Sequence, residues 1–287
     1  MRKIGIFYAY WVTDWESDFF PFVKRAKDLG FEILELHAAV VQKLSSDDRL
    51  RIREEAERRN IELTFGMGLP KKYDVSSLDE NTRTAGIRHM ESVIEAVAEM
   101  GGTMIGGTVH SYWPATFPED LESKEPVLEQ SVKSMQELMP CAADHGVTLN
   151  VEILNRFEQF LVNDSHEGAE YMSRVNHKNC GILMDTFHMN IEEDSFAEAI
   201  KTVAPYMRSL HIGEANRKPP GLGRLPWAEI RQALDDIDYQ GPLVMEPFVL
   251  PGGQIGRDVG VWRPMIENPD LDALAARSCE FVKENLR

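Results

Sequence analysis

Short apolar runs alternate along the whole chain with amphipathic stretches, in the rhythm of a strand followed by a helix. The runs predict strands over Ile4 to Tyr8, Ile33 to Leu36, Glu62 to Phe65, Met104 to Thr108, Thr148 to Ile153, Gly181 to Asp185, Ser209 to Ile212 and Leu243 to Glu246. Two of the intervening segments show their ends clearly. SSDDRLRIREEAERRN begins on serine, and RTAGIRHMESVIEAVAEMGG closes on glycines, where a left-handed cap is cheap. Eight such units in 287 residues, joined by right-handed crossovers, can close a parallel sheet on itself. The expectation is an α/β fold, a single (β/α)8 TIM barrel forming one domain over residues 1–287. An open doubly wound sheet ranks lower, because no glycine-rich dinucleotide turn follows the first run. Long irregular stretches are expected after the fourth run (HSYWPATFPEDLESKEP), the seventh (GEANRKPPGLGRLPW) and the eighth (PFVLPGGQIGRDVGVWRP), where substrate loops would sit.

A barrel of this kind places its chemistry at the C-terminal ends of its strands. Glu152, Asp185, His211 and Glu246 each stand at the end of an apolar run, in TLNVEI, GILMD, RSLHI and PLVME, about 25 to 35 residues apart. Any one acidic residue there often does no more than cap the next helix. Four donors at four successive strand ends are hard to obtain by capping alone, and they predict convergence on one metal site. An oxygen-rich set with one imidazole suits a divalent cation such as manganese, magnesium or cobalt better than structural zinc. Further polar groups lie near the same rim: Arg156 and Glu158 in NRFEQ, His188 in DTFHMN and Arg217 in GEANRKPPG. Trp15, Trp113 and Phe248 could line an apolar wall against carbon-bound hydrogens, although core packing is common for aromatic residues beside a barrel.

Charge and cysteine content narrow the partners. The chain carries 47 acidic against 31 basic residues, a formal net charge of -16, which disfavours phosphate backbones and anionic membrane surfaces. Neither nucleic acid nor membrane is expected as a partner. Cys141, Cys180 and Cys279 are odd in number and form no CxxC pair, so they suggest no disulfide framework, and a reducing cytoplasm fits. The N-terminal IGIFYAYW is too short and too aromatic for a signal-peptide core, and no stretch approaches a membrane span.

The segments LNVEILNRFEQ, LMDTFHMNIEEDSF, LHIGEANRKPPGLGRLPW and VMEPF, with the N-terminal FYAYW, resemble the ketose 3-epimerase family of D-tagatose and D-allulose (D-psicose) 3-epimerases. The likeness spans the whole chain. It implies a (β/α)8 barrel, a homodimer or homotetramer, and a site for manganese, with cobalt or magnesium as alternatives, acting on a free ketose sugar. By that resemblance the metal ligands fall on Glu152, Asp185, His211 and Glu246, and the polar substrate contacts on Glu158, His188 and Arg217. Glu152 and Glu246 would form the acid and base pair that inverts carbon 3 through an enediolate. Positions facing the far end of the sugar vary within the family, and here they read Phe7, Gly66, Thr108, His37 and Ala38. Phe7 is the tagatose-type choice where many allulose-type members have tyrosine.

Three other functions compete. An aldose–ketose isomerase of the same barrel type also uses carboxylates and a metal, but opposed glutamates favour proton transfer. An endonuclease-IV-like phosphodiesterase would need more histidines and a basic groove. A non-catalytic sugar-binding barrel would have no need of both Glu152 and Glu246.

Overall fold

The computed structural model describes residues 1–287. Eight parallel strands close into one barrel in chain order: β1 (Ile4–Phe7), β2 (Ile33–His37), β3 (Glu62–Leu69), β4 (Met104–Tyr112), β5 (Thr148–Glu152), β6 (Cys180–Asp185), β7 (Met207–Ile212) and β8 (Leu243–Met245). Closure is made by β1 pairing with β8, with Ile4 opposite Leu243 and Ile6 opposite Met245. The expected eight-stranded barrel is therefore the fold. Its strands are buried on both faces, as a sheet covered by helices requires.

The helix signals work as ordinary capping chemistry. The Ser45 side chain accepts from the Asp48 N–H at the start of helix Ser46–Arg59, which ends on Asn60 at φ 52°. Helix Glu80–Glu99 begins three residues before the stretch that starts at Arg83, because Asp79 caps it through the Thr82 N–H. Gly101, at φ 76°, turns the chain out of that helix.

Two strands run well past their predicted ends. β3 continues through Gly66, Met67 and Gly68 to Leu69, and β4 through Val109 to Tyr112. Glycines in a sequence read as punctuation, whereas here they allow close strand contact. Gly107 has φ 113°, and a Cβ there would stand 2.0 Å from the Met67 carbonyl oxygen. The extensions raise one wall of the barrel mouth. As a result the stretch after β4 begins its irregular course only beyond Tyr112, and the stretch after β8 contains a short helix, Gly253–Asp258. No helix is long and apolar enough to cross a membrane.

Candidate active site

The four strand-end donors meet. Ligand atoms of Glu152, Asp185, His211 and Glu246 all lie within 4.8 Å of one another at the C-terminal rim. Glu152 and Asp185 close β5 and β6, and His211 sits one residue before the end of β7. Glu246 lies just beyond β8, held in the ladder by its N–H donating to the Ile212 carbonyl at 3.1 Å. Asp185 does cap the following helix, accepting from the Phe187 N–H at 2.7 Å through Oδ1. Its Oδ2 is free for other work and accepts from Arg217 Nη1 at 2.6 Å. The capping and the convergent roles thus coexist in one carboxylate.

The donor set fits a hard divalent cation. Three carboxylates buried side by side repel one another. Burial, followed by the charge of Glu246, holds the Glu152 carboxyl well above the usual range. Burial likewise raises Asp185. At Glu246 burial works in the same direction, but His211 and Arg217 outweigh it and lower the carboxyl. His211 is oriented as a ligand would be. Its Nε2 stands 2.8 Å from Glu35 Oε1, and its buried Nδ1 has no hydrogen-bond partner, facing Glu246 Oε1 at 3.5 Å and Glu152 Oε1 at 3.9 Å. Burial alone would push this imidazole down, yet the Glu35 and Glu246 carboxylates pull it up. A cation among the three carboxylates would relieve the repulsion and take the Nδ1 lone pair.

Around the cluster the polar side chains form one connected network. Arg217 Nη1 also donates to Glu246 Oε2 at 2.8 Å, and Nη2 lies 3.1 Å from His188 Nε2. The guanidinium is held between aromatic faces, 4.1 Å from the Phe187 ring centroid and 5.4 Å from that of Phe248. Its backbone is strained to φ 61°. Buried Glu214 fixes that loop, accepting from the Gly221 and Leu225 N–H groups and from the Trp227 indole. The Asn155 N–H donates to His188 Nδ1 at 3.2 Å, and Nε2, beside Arg217, also lies 3.8 Å from both Glu152 and Asp185. Burial and then Arg217 keep His188 neutral. Glu158 receives Asn155 Nδ2 on Oε1 and Trp113 Nε1 on Oε2, each at 3.0 Å.

One cavity of about 500 Å³ opens over this network. Phe7, Trp15, Gly66, Thr108, Trp113 and Phe248 all line it, with Glu152, Glu158, His188, His211, Arg217 and Glu246. Phe7 packs edge-on against Phe248 at 6.4 Å, and Trp15 anchors its indole on Asp258 at 2.7 Å. Asp185 lies behind the lining, buried. Two residues do not reach the site. Arg156 points outward and pairs with Glu192 at 2.7 Å, because the turn around Asn155 aims Glu158 inward instead. Ala38 is buried in the helical turn after β2, while its neighbours His37 and Ala39 face the cavity.

Sequence patterns missed Glu35, Asn155 and Glu214. Glu35 sits mid-strand in ILELH, where a glutamate between leucines gives no strand-end signal. Its other oxygen accepts from Thr64 Oγ1 at 2.9 Å, and Gly66 leaves it space, since a Cβ there would stand 3.1 Å from Glu35 Oε1.

Fold and cluster together define a class, the TIM barrels that carry a divalent-cation site at the C-terminal rim. Residues 23–274 match the family described as Xylose isomerase-like TIM barrel. The chain is 40% identical over 269 residues to a D-psicose 3-epimerase of Agrobacterium fabrum, covering 94% of this chain and 93% of that protein. It is 39% identical over 284 residues to a D-psicose 3-epimerase of Ruminiclostridium cellulolyticum, covering 98% and 97%. Among solved structures, a D-psicose 3-epimerase determined in the presence of D-fructose superposes with a TM-score of 0.96, at 39% identity and 99% coverage of both chains. The chain belongs to the Xylose isomerase-like TIM barrel family and, within it, to the ketose 3-epimerases.

Proposed function

We propose that the protein epimerises free ketohexoses at carbon 3, interconverting D-fructose with D-allulose and D-tagatose with D-sorbose. The observation that carries this reading is the convergence of Glu152 and Glu246 in one metal-ligand cluster, with His188 and Arg217 bridging them. Inverting carbon 3 requires a proton to leave one face of the carbon and another to arrive on the opposite face, which two carboxylates flanking it accomplish. One of the pair removes the proton from carbon 3 as the enediolate forms. The other donates a proton to the far face, and their roles exchange in the reverse direction.

Glu152, Asp185, His211 and Glu246 would hold the cation, with manganese favoured by the oxygen-rich set and cobalt or magnesium able to replace it. When bound, the metal supplies positive charge beside O2 and O3, where negative charge develops. Arg217 and His188 hold the oxygens of carbons 1 to 3. Glu158, fixed by Asn155 and Trp113, anchors O1 and passes protons between hydroxyl groups. Phe7, Trp15 and Phe248 cover the carbon skeleton and exclude water. Gly66 and Thr108 shape the pocket for carbons 4 to 6. The protein acts as a cytoplasmic homodimer or homotetramer on this reading, and the 75% exposed Phe157 and Trp262 are suited to contacts between copies.

Incubating the manganese-loaded protein with D-fructose tests the proposal by product identity. D-allulose is the expected product, and an aldose such as D-glucose or D-mannose would contradict it.

A further inference from the structure

The cavity extends beyond the reacting end of the sugar, and its outer wall carries charge that a neutral ketose does not use. Its volume of about 500 Å³ exceeds what a six-carbon chain fills. Four basic side chains from separate elements line that outer part. His37 ends β2, and Lys43 follows the turn Ala38–Val41. Lys72 lies in the turn Lys71–Tyr73, and His89 stands on helix Glu80–Glu99. This grouping is local, in a chain whose net charge is -16.

Their partners leave hydrogen-bond donors available. His37 Nδ1 and His89 Nε2 are buried without a hydrogen-bond partner. His89 stacks on Tyr73 with ring centroids 4.2 Å apart, and Lys72 Nζ sits 4.8 Å from the centroid of the same tyrosine ring. Lys72 has no carboxylate within ion-pair distance. The acidic residues at the mouth are already engaged, Glu16 with Lys43 and Asp258 with the Trp15 indole. Burial, followed by the nearby Lys72 and Lys43 charges, lowers His89, and burial with Lys43 holds His37 down at about 4. Both rings are therefore neutral near pH 7, each able to donate one N–H, beside the Lys72 ammonium, which no carboxylate pairs and which attracts anions as a point charge, and the Lys43 ammonium, which Glu16 shares.

Resting on the ketose 3-epimerase reading above, we propose that this wall binds a terminal oxyanion, so that the protein also acts on ketoses carrying a phosphate ester or a carboxylate at carbon 6. The reacting end would occupy the metal-ligand cluster, as in a free ketose. The charged end would lie between Lys43 and Lys72, with the His37 and His89 N–H groups turned toward it. The two lysines are exposed, so binding through them weakens as salt rises.

The test compares D-fructose, D-fructose 6-phosphate and D-fructuronate as substrates of the full chain loaded with manganese, reading kcat/KM for inversion at carbon 3. The expected result is a kcat/KM for one anionic ketose about tenfold or more above that for D-fructose, falling with added salt. The phosphate and carboxylate arms identify which oxyanion the wall takes. The double variant Lys43→Ala/Lys72→Ala is expected to lose about tenfold on the preferred anionic ketose, chiefly through KM, with a much smaller change on D-fructose. Turnover of D-fructose with neither anionic ketose exceeding it would overturn the inference alone. Equal losses on all three substrates in the double variant would overturn it as well. No turnover of any of the three would remove the epimerase reading and this inference together.

Discussion

The two halves of the barrel are built to different rules. β5 to β8 carry the charged groups of the site, and these are locked to one another: Arg217 to Asp185 and Glu246 at 2.6 and 2.8 Å, and His188 to Asn155 at 2.8 Å. β1 to β4 supply mostly contact surface, with Phe7, Gly66, Met67 and Thr108 facing the same cavity through shape. Among the four strand-end donors, His211 takes a partner from the β1 to β4 half, Glu35 on β2, at 2.8 Å. A group that must hold a cation or move a proton needs its direction fixed by neighbours, whereas a wall that selects a substrate needs only volume and polarity. The division predicts that changes in the β5 to β8 half abolish reaction, while changes in the β1 to β4 half redirect it.

The largest effect is expected from Glu152→Gln and Glu246→Gln. Each should lower kcat by about 10³-fold or more while the protein stays folded, as steady-state kinetics and a thermal melt would show. Either variant retaining near-normal turnover would remove the division of roles. Removing divalent metal with a chelator should silence the enzyme and lower its Tm, and manganese should restore both, since a ligand at 100 times its Kd adds about 2.7 kcal/mol of stability. Arg217→Lys keeps the charge but loses the fork that spans Asp185 and Glu246, and a drop of about 10²-fold in kcat/KM is expected. Glu35→Gln tests the contact from β2 to His211. Manganese affinity, read by titrating the metal-free protein, should weaken about 10- to 100-fold, with less effect on KM. Smallest is Phe7→Ala, expected to change the ratio of kcat/KM for D-fructose and D-tagatose by about tenfold, at the low end of the range of about 10 to 200 that a pocket contact controls.

The same division decides what the sequence made legible. Glu152, Asp185, His211 and Glu246 stood out because a polar residue that ends an apolar run breaks a strand pattern at the position where a barrel keeps its chemistry. Phe7 and Thr108 could be named only through resemblance, since an aromatic or a threonine in a strand carries no signal of its own. Glu35 was hidden for the opposite reason. It lies inside a strand, and only closure of the barrel turns it toward His211, about 180 residues away in the chain. Asn155 and Glu214 were hidden by their neighbours, in loops where polar residues are ordinary. The far wall was lost with the ends of β3 and β4, which run on past Phe65 and Thr108 to Leu69 and Tyr112.

The central claim is that protons, exchanged through two glutamates, leave and return at carbon 3. Its most direct test is to run the manganese-loaded protein on D-fructose in deuterated water and to follow carbon 3 by NMR. The account predicts D-allulose bearing deuterium at carbon 3. Allulose without the label, or a labelled or unlabelled aldose in its place, would contradict it.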